Sequence, residues 1–70
     1  MKKIIAISQR NIEIKLFNIL GSEVLSINFG KVEEGFQSFN IDLSSVDQGV
    51  YFISVHSEGV LLESTKMIIQ

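Results

Sequence analysis

The chain predicts an all-β fold, a small antiparallel β-sandwich of six or seven short strands. Three observations carry that prediction. Apolar residues recur at every second position in successive short segments, glycine or polar turns separate those segments at close intervals, and no segment holds a 3.6-residue apolar stripe through three turns. β-branched residues, which fit a pleated and half-buried surface, are abundant, almost all of them isoleucine and valine.

Taken in order, the first strand lies in Met1-Lys2-Lys3-Ile4-Ile5-Ala6-Ile7, with Gln9 to Asn11 as the turn after it. The basic start resembles a secretory signal. Its apolar run of four residues, however, is shorter than the roughly 7 to 15 that an h-region needs, so a strand is expected and no export address at the front. Ile12, Ile14 and Leu16 then share one face while Glu13 and Lys15 face away. Leu20-Gly21-Ser22 is the next turn, where Gly21 supplies a positive φ for a tight hairpin. Leu25, Ile27 and Phe29 alternate with Ser26 and Asn28, and breaks are expected at Gly30-Lys31 and at Glu33-Glu34-Gly35.

Phe39, Ile41 and Leu43 oppose Ser38, Asn40 and Asp42, which predicts another half-buried strand, and Ser44 to Gly49 connects it onward. Val50 to Val55 is apolar on both faces, the mark of a central strand buried from two sides. Ser57-Glu58-Gly59 turns the chain into a last strand from Val60 to Gln70. That strand is apolar to its end at Met67, Ile68 and Ile69. Chain ends normally fray into solvent, so such an end is docked or is presented to something that reads it.

Seventy residues form one domain, residues 1–70, and a chain of this size buries only roughly 60% of its unfolded surface. A hydrophobic content of 46% separates it from disordered segments. Six basic and eight acidic residues are scattered singly apart from Lys2-Lys3 and Glu33-Glu34, which leaves no basic stripe for nucleic acid. Without cysteine there is neither a disulfide framework nor a thiolate metal site. No segment approaches the ~20 apolar residues of a helical membrane span. No metal cluster, nucleophile motif or phosphate loop appears, so neither an enzyme nor a cofactor is expected. His56 reads as a surface strand residue, because catalytic use needs a base, a nucleophile and an orienter that converge. Glu33-Glu34 reads as a solvated turn, Gly21 and Gly49 as turn glycines, and Tyr51 as a core ring whose hydroxyl reaches a partner at the rim. Lys66 reads as an edge charge that discourages aggregation.

Three pieces in order carry a family resemblance. They are Ile14 to Val24 around Asn18-Ile19-Leu20-Gly21-Ser22, then Ile41-Asp42-Leu43-Ser44 with Gly49-Val50-Tyr51-Phe52, and finally Thr65-Lys66-Met67-Ile68-Ile69-Gln70. Together they resemble the type A C-terminal sorting domain of the type IX (Por) secretion system of Bacteroidetes. The resemblance implies a seven-stranded immunoglobulin-like sandwich at the end of a longer cargo protein. It would direct that cargo from the periplasm across the outer membrane, to the cell surface or into the medium. The implied partners are the export machinery, with its outer-membrane shuttle protein and sortase, and the N-terminal cargo. By the same resemblance Lys66, Met67, Ile68, Ile69 and Gln70 match the terminal recognition motif. Gly21, Gly49 and Tyr51 match the structural signature, and none is catalytic. The family's Asn-Pro-rich lead-in is missing, since the chain has no proline, and Gln70 stands where the last residue is often basic. A domain separated from its lead-in and cargo is expected.

The expected mechanism is strand addition. A receptor pairs with the open backbone edge of the last strand and selects Lys66, Ile68 and Gln70 on one face, or Met67 and Ile69 on the other. Open edges also suit a dimer formed by edge-strand pairing. The competing function is a small adhesive or carbohydrate-binding sandwich module, for which Phe17, Phe36 and Tyr51 are the candidate exposed aromatics.

Overall fold

Two segments carry the strongest inward ridges, Ile12, Ile14 and Leu16 in one and Tyr51, Ile53 and Val55 in the other, and all of these side chains are buried. In the computed structural model, which describes residues 1–8 and 10–70, they lie on neighbouring strands at the centre of one sheet. The strands among the described residues are β1 (Lys2–Ile7), β2 (Arg10–Asn18), β3 (Glu23–Val32), β4 (Gly35–Asn40), β5 (Gly49–Ser57) and β6 (Val60–Ile69). They form a four-stranded sheet in the order β3-β2-β5-β6 and a two-stranded sheet β1-β4, antiparallel throughout. The fold is a small all-β sandwich of six strands.

Register explains the core. Ile14 opposes Val55 and Leu16 opposes Ile53, so the ridges of β2 and β5 form one apolar surface. Ile5 and Ile7 of β1, Phe39 of β4 and Ile41 beyond it cover that surface from the second sheet. Phe29 of β3 meets Phe39 edge-on with ring centroids 4.7 Å apart, a contact that contributes about 0.5–1.5 kcal/mol beyond its area. On the other flank Lys3 of β1 pairs with Glu63 of β6 and joins the two sheets across their open side.

Four features differ from the sequence reading. Arg10 and Asn11, expected in the first turn, begin β2, and Gln9 lies outside the described residues. Gly30-Lys31 does not break the chain, because β3 continues to Val32. Glycine there serves a β-bulge: Ile12 pairs with Gly30 and Glu13 with Asn28, which leaves Phe29 as the extra residue, and the Asn28 side chain accepts the Gly30 N–H at 2.8 Å. The strand expected through Leu43 ends at Asn40. One further backbone bond, Ile41 N–H to Met1 O at 2.7 Å, holds Ile41 against the core. Asp42 then accepts the Ser44 N–H at 2.9 Å and bends the chain away. That bond, followed by the Ser44 side chain, holds the Asp42 carboxyl below the usual carboxylate range.

The fourth difference concerns β5. It is central in its pairing, between β2 and β6, but it is not buried on both faces. Phe52 is 39% exposed, because the second sheet covers only the inward side. Ser57, expected in the turn, is the last residue of β5, and the turn contracts to Glu58-Gly59 between Ser57 and its partner Val60.

That two-residue turn places Glu58 at φ 51°, the one non-glycine residue with positive φ among the described residues. A hairpin with positive φ at both central positions favours Asn before Gly, since a glutamate there gains no local hydrogen bond to offset the left-handed conformation. Glu58→Asn is expected to stabilise the fold by about 1 kcal/mol and to raise Tm by roughly 4–8 °C in thermal unfolding; an unchanged or lower Tm contradicts this account of the turn.

Candidate functional site

Among the described residues β6 is hydrogen-bonded on one side only. Its partner is β5, in a register that sets Gly49 opposite Ile69, Val50 opposite Ile68, Tyr51 opposite Met67 and Phe52 opposite Lys66. The period of two divides the strand's residues between the faces of the sheet. Met67 and Ile69 are half-buried and pack on the core beside Tyr51. Lys66 and Ile68 point outward, and Ile68 is 64% exposed. Gln70 is exposed just past the strand. The chain end is therefore docked by one face and open along its other edge.

Gly49 and Tyr51 hold the start of β5. The Tyr51 ring is 8% exposed, and its hydroxyl donates to the Asp47 carbonyl at 2.8 Å, which ties the β4–β5 connection to the strand that carries β6. Gly49 sits at φ +153° with the ring against it: a Cβ there would stand 3.4 Å from the Tyr51 ring edge. Gly21 lies one strand over at the same end of the sheet, in the β2–β3 hairpin that follows Asn18, the β2 partner of Tyr51. Its N–H donates to Asn18 O at 3.0 Å, and the Asn18 side chain accepts the N–H groups of Leu20 and Ser22, each at 3.0 Å. The terminal residues, Gly49 and Tyr51 thus gather about one end of β5, and Gly21 closes the neighbouring hairpin at that same end as a turn residue.

The outer face of the four-stranded sheet also holds Val50 and Phe52, which the sequence reading placed in a strand buried from two sides. Phe17, Phe52 and Lys66 form one cross-strand row, and Val50 and Ile68 form the next. Phe17 and Val50 are half-buried, and Phe52, assigned to the core by its apolar neighbours, looks outward. Farther along the face Lys15 lies within 3.5 Å of Glu13 and 3.3 Å of Glu23. The hydrogen bond it donates to Glu23 and the charges of both carboxylates hold its ammonium above the usual lysine range. Among the described residues Lys66 has no such partner.

Other chemistry finds little support in the geometry. Ser54 Oγ and His56 Nε2 are hydrogen-bonded at 2.8 Å on the same face, but Glu13, the β2 partner of His56, is engaged by Lys15 and Ser26. The clefts found have volumes of about 240 and 180 Å³, below the roughly 300–1,000 Å³ of small-molecule sites. The aromatics of the glycan-binding alternative do not share a surface. Phe17 faces out from the four-stranded sheet, Phe36 is 83% exposed on the opposite outer face beside Ala6, and Tyr51 is inside.

A family model described as a secretion system C-terminal sorting domain matches residues 2–70. No curated protein and no solved structure matches the chain.

Tyr51→Phe removes the hydroxyl and leaves the Asp47 carbonyl without that donor. The expected cost is about 1 kcal/mol in urea unfolding, with faster amide exchange in the connection before β5. A cost within measurement error contradicts the anchoring role.

Proposed function

Because the chain belongs to the secretion system C-terminal sorting domain family, we propose that its β6 strand is the address by which the type IX machinery exports an attached cargo across the outer membrane. The domain itself is a C-terminal sorting signal, and its work in this reading is non-enzymatic. The cargo precedes it in a longer protein, reaches the periplasm first, and ends at the cell surface or in the medium. The readers are the outer-membrane shuttle protein and the sortase of that system.

The observation that carries this reading is the division of the last strand between two roles. Met67 and Ile69 fasten it to the core, while Lys66, Ile68 and one whole backbone edge are left facing solvent. A strand held in this way is extended before it meets a receptor. The receptor then adds its own strand without the entropic cost of ordering a loose peptide, of order 1–2 kcal/mol for each residue fixed.

Anchoring and recognition separate by substitution. Lys66→Ala combined with Ile68→Ala is expected to leave the stability of the isolated domain within about 0.5 kcal/mol, since both side chains are exposed. In a cargo fusion the same pair should strand the cargo in the periplasm, as should deletion of Lys66 to Gln70. Met67→Ala should instead lower the unfolding midpoint. Normal export of the Lys66–Gln70 deletion, measured by cell fractionation, contradicts the reading.

A further inference from the structure

We propose that the open edge of β6 excludes a second copy of itself and selects a foreign strand in which three apolar residues precede an aspartate or glutamate. The inference rests on the reading of β6 as the recognised edge and specifies the partner's chemistry.

β6 carries a bulge. Val55 pairs with Glu63 but His56 pairs with Leu61, so Leu62 is an extra residue and the strand bends there. The straight segment available for pairing is Glu63–Ile69, and Lys66 is its middle residue. When two copies pair antiparallel about a two-fold axis, residues on the same face stand opposite each other. Full overlap of the straight segments therefore places Lys66 directly against Lys66 of the other copy, at the axis, with no carboxylate of its own fold within ion-pair reach. Like charges directly opposite destabilise a strand pair. A slip of one residue turns the apolar face outward, and a slip of two leaves only about five residues paired. Lys66 thus bars the register that buries most.

The same geometry specifies what the edge accepts. An acid opposite Lys66 completes a cross-strand ion pair. In an antiparallel partner, the three residues before that acid lie in turn opposite Met67, Ile68 and Ile69. The first and third meet the inward pair that packs on the core. The second lies beside Ile68, in the exposed row that continues to Val50, next to the row of Lys66 and Phe52. Apolar side chains at all three positions cover surface the fold leaves open, and a carboxylate at the fourth matches the unpaired ammonium.

The test uses two synthetic heptapeptides that differ at one position, three apolar residues followed by aspartate or by lysine, titrated into the labelled domain by NMR. The aspartate peptide is expected to bind about tenfold more tightly, with shifts centred on β6. Lys66→Glu, shown to be folded by its spectrum, should reverse the preference, Lys66→Ser should abolish it, and the wild-type domain should sediment as a monomer. Equal binding of the two peptides, a preference unchanged in Lys66→Glu, shifts centred on β3 or β4, or a wild-type dimer each overturns the proposal. Should the peptides bind equally while the Lys66–Gln70 deletion still blocks export, the address reading stands and only the partner's chemistry falls.

Discussion

β5 is the strand on which every other part of this domain depends. It is paired on both sides, to β2 and to β6, and its inward ridge of Tyr51, Ile53 and Val55 is half of the apolar surface that the second sheet covers. That arrangement constrains the end of the chain. β6 cannot drift from β5 without exposing Met67 and Ile69, yet none of the described residues pairs with its far side. A terminal segment that would otherwise fray is thereby kept extended and available. Tyr51 strengthens the arrangement from within, because the hydroxyl that reaches Asp47 fixes the start of the strand whose other neighbours are Asn18 and Met67.

The unequal sheets explain the rest of the surface. Two strands cover the inner side of four, so the outer side of the larger sheet meets solvent, and Phe17, Phe52, Val50 and Ile68 lie together there. In the far part of that face Lys15 is paired with both Glu13 and Glu23. Near the terminus Lys66 stands beside Phe52, with no ion-pair partner among the described residues. The charge pattern therefore distinguishes the part of the sheet that is solvated from the part that a partner can cover.

Much of this was legible in the residues. Strict alternation in Ile12-Glu13-Ile14-Lys15-Leu16 is enough to predict a strand with one buried face, and the structure buries Ile12, Ile14 and Leu16. The misreadings have separate causes. Gly30 carries the same signal whether it ends a strand or forms a bulge within one, and only pairing with Ile12 and Glu13 distinguishes the two. Alternation continues through Ile41 and Leu43, but the Asp42–Ser44 hydrogen bond bends the chain first. Phe52 follows a buried pattern because apolar residues surround it in the chain; its exposure depends on how many strands the opposite sheet contains, which periodicity does not encode. For the site, alternation separates Lys66 and Ile68 from Met67 and Ile69. That Phe52 and Val50 stand beside them is a matter of cross-strand register, set by the Glu58-Gly59 turn and the bulge at Leu62.

The central claim is that β6 is fastened on one side and open on the other, and backbone amide exchange reads that directly. Along Glu63–Ile69 the N–H groups of an antiparallel edge strand point alternately toward β5 and toward solvent. Hydrogen–deuterium exchange resolved by residue is expected to show alternating slow and fast amides through this segment, against continuous protection in β5. Uniformly fast exchange would mean a detached tail and uniformly slow exchange a covered edge, and either result contradicts the account.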